Sequence, residues 1–274
     1  NGKRLHELLI LNELLDGNNK NVVSRVINEM QNNFGISVNE KTRKNVENIL
    51  TGQFASGAAK DTYADVTFIE SNETDFCISS KFKDLLVNNE FRRQMTEVVK
   101  FGLFRNKKYF GHRYKDTSFC LYEKYTYEDV CRLLDWEKSE VSLNIGGYKY
   151  DKNTQTYPVF INYEKNDNIS ATTRYEDRFV NEGTLIAISK SGRTSKSEDV
   201  KAAIEADQRG IKMDLFVRKN KDDHTSKEFY YLGRLHATGS TMDFVMPETT
   251  KTAVEITYNL ETPVRQDIYE YLVG

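Results

Sequence analysis

The period of the apolar residues changes once along this chain, at Asp135, and that change sets the fold class. Before it, apolar side chains recur every three or four positions, the spacing of one helix face. Leu5, Leu8, Leu9, Leu11, Leu14 and Leu15 make a first stripe that ends at Asp16 and Gly17. Val22, Val23, Val26, Ile27 and Met30 make a second, stopped at Asn33-Phe34-Gly35. A third predicted helix runs from Asn39 or Glu40 to Leu50, and others are expected at about 66–70, 78–87 and 90–102. Gln53 to Asp65 reads as a loop. Tyr127 to Leu134 closes the helical half, with Glu128 and Asp129 in the first turn, where carboxylates meet the positive end of the helix dipole.

From Asp135 the alternation is that of strands. Val141–Tyr150 and Pro158–Tyr163 are predicted strands joined by a turn at Lys152-Asn153. Thr184–Ile188, Ile211–Val217, Lys227–Leu235 and Thr252–Leu260 complete a mainly antiparallel set. Short helices are expected at Ser197–Gln208 and Val264–Leu272. The expectation is an α+β chain with a helical domain over 1–134. A bent sheet or open barrel with short helices follows over 135–274.

Two domains also suit 274 residues. The net charge of −2 excludes a positive field over the whole surface, so any nucleic-acid binding needs cations gathered locally. Cys77, Cys120 and Cys131 are odd in number and scattered, and His6, His112, His224 and His236 have no ligand spacing. They read as reduced thiols without a metal site, and with no membrane-length apolar run or signal peptide the expected location is the cytoplasm. The chain opens on Asn1 directly into a helical pattern, which reads as a piece of a longer protein.

Catalytic spacings are missing. There is no Gly-rich phosphate loop and no His-x-Lys nuclease motif, and the acid-x-Lys triplet Asp199-Val-Lys201 reads as a surface charge pair on a helix. The chain is expected to bind rather than to react, with no catalytic residue, metal or cofactor of its own. Arg105 to Lys115 is the most basic, aromatic-interleaved run of the helical half, either a solvated connection or a rest for DNA phosphate.

The run Asn168-Ile-Ser-Ala-Thr-Thr-Arg-Tyr-Glu-Asp-Arg-Phe179, with Thr184-Leu-Ile-Ala-Ile-Ser-Lys-Ser-Gly-Arg-Thr194 after it, holds the most chemistry. Hydrogen-bonding Thr172, Thr173 and Asp177 stand among aromatic Tyr175 and Phe179 and cationic Arg174, Lys190 and Arg193. A pocket gripping a nucleobase needs that mixture; a polar loop capping a barrel shows it too.

Together with Tyr122-Glu-Lys-Tyr-Thr-Tyr-Glu-Asp-Val130, Gly146-Gly-Tyr-Lys-Tyr-Asp151 and Val159-Phe-Ile-Asn-Tyr-Glu-Lys165, this stretch resembles a C-terminal domain found behind superfamily-two helicase motors in bacterial restriction proteins. The likeness covers about residues 75–274 and points to SauUSI-like type IV restriction enzymes. In those, a nuclease, a helicase motor, a helical coupler and a SET- and RING-associated-like (SRA-like) reader of modified cytosine follow one another. Tyr175-Glu-Asp177 through Ser191-Gly-Arg193 is similar in order to the base-pocket segment of SRA domains.

The resemblance implies a target-recognition module for 5-methylcytosine or 5-hydroxymethylcytosine in duplex DNA. Its partners would be the helicase and nuclease domains of the same polypeptide, with ATP and Mg serving that motor and no membrane involved. Tyr175 would stack on an everted base and Asp177 would accept from the cytosine amine, with Thr173 or Glu176 as the alternative acceptor. Arg174, Ser189, Lys190, Ser191 and Arg193 would hold phosphates, with Gly192 letting the backbone approach. SRA pockets commonly sandwich the base between two aromatics, but Ala187 and Ile188 stand where the second is expected. Tyr148, Tyr150 and Tyr163 are candidates for that face, each equally suited to packing within a strand. The other reading is a helicase-associated module that binds DNA or protein without regard to modification.

Overall fold

A computed structural model describes residues 2–18, 20–63, 67–72, 75–163, 177–219, 227–246 and 249–274. They divide into two compact units, one of residues 1–120 and 131–141, the other of residues 121–130 and 142–274. The expected division at 134/135 lies within this exchange of short segments.

In the first unit, α1 (Leu5–Leu15), α2 (Val22–Phe34), α3 (Glu40–Leu50) and the short α4 (Ala58–Tyr63) are followed by β1 (Ile69–Asn72) and β2 (Asp75–Ile78). Asn39 caps α3, its Oδ1 accepting from the Thr42 amide at 2.9 Å. The residue before α2, Asn21, has φ 54° and makes no such cap. Instead the Asp75 carboxylate accepts from the Val22 and Val23 amides at 3.2 and 3.1 Å, serving as a cap from 52 residues away.

The helix predicted at 66–70 is corrected: Ile69–Asn72 pairs antiparallel with Asp75–Ile78, burying Ile69, Phe76 and Ile78. Then come α5 (Ser80–Leu86) and α6 (Asn89–Tyr109). α6 runs past its predicted end at 102, because Arg105, Lys107 and Lys108 are helix formers and the two lysines suit the negative end of the dipole. Leu5, Ile10, Leu14, Val22, Val26 and Val99 lie in the buried core of this unit. Each such side chain contributes about 1.5–3 kcal/mol of hydrophobic stabilisation.

Segment 131–141 is tied to these helices by buried polar groups. The Arg4 guanidinium donates to Asn45 Oδ1, to the Arg132 carbonyl at 2.8 Å and to Asp135 Oδ1 at 2.9 Å. Thr42 donates to the other Asp135 oxygen at 2.6 Å, and Asn45 to the Trp136 carbonyl.

The second unit is a mixed open sheet with helices. In chain order it contains β3 (Lys124–Tyr125), the start of α7 (Tyr127–Leu133), α8 (Ser142–Ile145), β4 (Thr156–Asn162), β5 (Arg178–Asn181) and β6 (Thr184–Ile188). Next come α9 (Glu198–Ile204), α10 (Ala206–Arg209), β7 (Lys212–Arg218), β8 (Phe229–Val245), β9 (Thr252–Leu260) and α11 (Gln266–Val273). Strand order is β4-β7-β8-β9-β6-β5, with β3 also on β8. β4 and β7 are parallel and the other pairs antiparallel, and among the described residues the end strands β4 and β5 do not pair, so no barrel closes.

The long strand predicted over Val141–Tyr150 is corrected too. Ser142–Ile145 turns as a helix, and Gly146 and Gly147 follow at φ 50° and 95°, left-handed values that end any strand. Of it only the isolated bridge from Tyr148 to Val159 remains, with another just beyond its end, Asp151 to Thr156.

β4 is buried on both faces. Tyr157, Val159 and Ile161 face a core shared with Leu215, Val254, Ala203 of α9 and Leu272 of α11. Phe160 faces the other way, its ring 5.1 Å from Phe216 and 5.2 Å from Phe229. Burial of both faces is the usual condition of parallel strands.

Candidate functional site

The end of β6 and the middle of β4 face one small cavity. Ala187 and Ile188 finish β6, Ser189 follows, and together with Gly147, Tyr148, Asp177 and Tyr258 they line a small cavity over Val159 and Ile161. Its volume is about 30 Å³, room for a water molecule rather than a base.

Asp177 is placed by β5, which it immediately precedes. Its Oδ1 accepts from the Ile188 amide at 2.7 Å, tying the start of β5 to the end of β6. The expected acceptor for a base therefore lines the cavity with one oxygen already on the backbone. Thr173, Arg174, Tyr175 and Glu176, with Thr172, lie outside the described residues.

Tyr148 is buried, and both its ring and its hydroxyl are engaged within the protein. Its ring stacks on Tyr157 with centroids 5.4 Å apart, and Lys190 Nζ lies 4.9 Å from its ring centroid. Its hydroxyl donates to Asp199 Oδ2 at 3.2 Å and accepts from the Lys190 amide at 3.1 Å. Burial raises the Tyr148 phenol pKa, so it stays a donor. The expectation that Tyr148 offers an open face to a base is corrected: its interactions are internal. Tyr150 also stacks on Tyr157, at 6.1 Å, and donates to Gln155 at 2.9 Å. Tyr163, half-buried, has its ring 5.9 Å from Phe179.

Of the residues expected at phosphate, Ser189 is turned inward. Its hydroxyl accepts from the Val254 amide at 2.9 Å and donates to the Lys190 carbonyl at 3.2 Å, so it serves the β6–β9 edge instead. Lys190 is half-buried, and desolvation lowers its ammonium pKa, the nearby Asp199 carboxylate opposing that shift. Ser191 and Gly192 are exposed at a turn; Gly192 sits at φ 79° with nothing within 4 Å of where a Cβ would be, so the backbone there is open to close approach.

Arg193 Nε meets Asp199 Oδ2 at 2.7 Å with the arginine side chain 40% exposed. Asp199 thus pairs with Arg193 and Tyr148, which corrects the expected Asp199–Lys201 surface pair.

The structure brings together Asp177, Tyr148, Ser189 and Lys190 and sets Arg193 beside them through Asp199. Tyr258 also lines the cavity and carried no sequence signal, and Arg178, within the run 168–179, stands next to Asp177. Tyr258 of β9 reads as a core strand position; burial first, then the charges of Tyr148 and Asp177, raise its phenol pKa. Arg178 pairs with Glu255 of β9 at 3.0 Å, an ion pair 77 residues apart.

No curated protein matches this chain. Among solved structures it is similar to the SRA domain of SUVH5 in complex with hemimethylated CG DNA, at 11% identity and a TM-score of 0.37, covering 54% of this chain and 92% of that one. It is also similar to the SUVH5 SRA domain bound to fully hydroxymethylated CG DNA, at 12% identity and a TM-score of 0.32, covering 53% and 91%. A third is SUVH6 of Arabidopsis thaliana in complex with SAM, at 10% identity and a TM-score of 0.36, covering 63% of this chain and 33% of that one. Residues 1–110 match the model described as Domain of unknown function (DUF8090). Residues 119–272, more than half of the chain and the whole of the site just described, match another, and the chain belongs to that family, Domain of unknown function (DUF3427).

Proposed function

We propose that residues 121–130 and 142–274 form a DNA-binding module that recognises 5-methylcytosine or 5-hydroxymethylcytosine by everting the base. The chain itself has no catalytic role; it would select the target for a restriction endonuclease driven by an ATP- and Mg-dependent helicase motor on the same polypeptide. The observation that carries the reading is the meeting of Asp177, directly after the aromatic and cationic run 172–176, with a small cavity flanked by Lys190 and Arg193.

A carboxylate there suits the donor amine of cytosine and repels the carbonyl of thymine. A methyl group met only in the major groove discriminates by about 1–3 kcal/mol, whereas an everted base can be tested on every edge for an unstacking cost of a few kcal/mol. Because the cavity is water-sized, the module binds by widening: the base enters only as the walls around Tyr148 and Asp177 part.

The test is binding to plain, methylated and hydroxymethylated duplexes of one sequence. Modified DNA should bind more tightly, and Tyr175→Ala should cost about 1–3 kcal/mol of that binding. Asp177→Asn should weaken the selectivity for cytosine. Equal affinity for all three duplexes would end the proposal, as would a complex in which the cavity stays closed.

The committed state of Tyr148 and Ser189 favours one other reading, a helicase-associated interaction module blind to modification. Equal affinities would select it.

A further inference from the structure

The solvent side of α6 changes character halfway along. In its first half it is an ordinary solvated face: Arg93 pairs with Glu90 and with Glu97, each at 2.7 Å. In its second half the chain carries no carboxylate from 98 to 115. Phe101 and Phe104 there are 60% and 58% exposed. A residue two places along a helix lies about 200° round the axis. Phe101 is two from buried Val99 and Phe104 two from buried Asn106, so both rings stand at the middle of the outer face. The inner face is fixed by Gly102, where a Cβ would come within 2.7 Å of Leu8 on α1. Exposed Val98 lies one turn before Phe101, and exposed Lys100, Lys107 and Lys108 surround the pair.

We propose that this half of α6 docks an acidic amphipathic helix of a partner protein, its apolar ridge over Phe101 and Phe104 and its carboxylates against the lysines. Charge decides among occupants. A second copy of this face would set lysine against lysine, which repels. Single-stranded nucleic acid would want free ring faces, but Lys108 Nζ lies 5.0 Å from the Tyr109 ring centroid and 5.9 Å from that of Phe104, and Val98 has no ring to stack. Residues 98–108 span about 15 Å, the length of about three turns of a docked helix.

The test uses the 274-residue chain and a fluorescent Leu/Glu amphipathic peptide of about 18 residues, read by anisotropy. Saturable binding is expected, weakened about tenfold or more by Phe101→Ser with Phe104→Ser, as for central anchors of an interface. Lys107→Gln with Lys108→Gln should weaken it less and flatten its salt dependence. These side chains are exposed, so unchanged circular dichroism should accompany each loss. The proposal is overturned if the peptide does not saturate, or if a scrambled peptide of the same composition binds equally. It is also overturned if the same variants instead abolish binding of oligothymidine or self-association of the chain.

Discussion

Two arginine–carboxylate clusters, one in each unit, use the same chemistry for different ends. In the helical unit Arg4 and Asp135 are 8% and 23% exposed at the side chain, and Arg4 also serves Asn45 and the Arg132 carbonyl. In the sheet unit Arg193 and Asp199 are 40% and 24% exposed, with Tyr148 as the further partner. Removing one member of a buried pair strands the other charge away from water, whereas an exposed pair loses little because water replaces it. The first cluster is therefore a structural clasp holding 131–141 to the helices. The second is a contact that can open, leaving a guanidinium beside the candidate site.

The largest effect should come from breaking the clasp. Arg4→Ala leaves half-buried Asp135 without its cation, and buried Asn45 and the Arg132 carbonyl without their donor, and should cost about 3–5 kcal/mol. Trp136 is the chain's single tryptophan and is buried within this unit, so its fluorescence in urea reports that loss directly.

A somewhat smaller effect belongs to His6, next to the clasp. Burial lowers its pKa from 6.5 to about 4, and its Nδ1 has no hydrogen-bond partner among the described residues. The folded state thus keeps the imidazole neutral where the unfolded chain protonates it. Stability is full above pH 6.5 and falls as pH drops from 6.5 towards about 4, by about 3 kcal/mol in all. Urea titrations at several pH values should show that slope, and His6→Gln should remove it.

The smallest effect on folding should be that of Arg193→Ala, below about 1 kcal/mol for so exposed a pair. Its effect on DNA should be visible, weakening all duplexes alike and reducing the salt slope by about one. If Arg193→Ala instead destabilises as much as Arg4→Ala, the contrast between the clusters fails.

Much of this architecture is written in local pattern. The stripes of α1 to α3, the Asn39 cap and the strands Thr184–Ile188 and Thr252–Leu260 depend on neighbours within a few residues, and the structure has them where the residues place them. Val141–Tyr150 misled because alternation outweighed the Gly146-Gly147 pair, although the glycines govern the backbone there. At the site, the run 184–194 announced its polar and cationic content. Which of those groups faces the cavity and which serves the sheet was not legible, since Ser189 could point either way until β9 lay beside it.

By itself the amino-acid order determined the two-part α+β plan, because helix and strand periods are properties of adjacent residues. Only the tertiary structure decided that Tyr148 is spoken for by Asp199, 51 residues on, that Asp75 caps α2, and that the cavity beside Asp177 is closed down to the size of a water. Those outcomes depend on burial and on which distant strand or helix packs alongside, and no spacing along the chain encodes either.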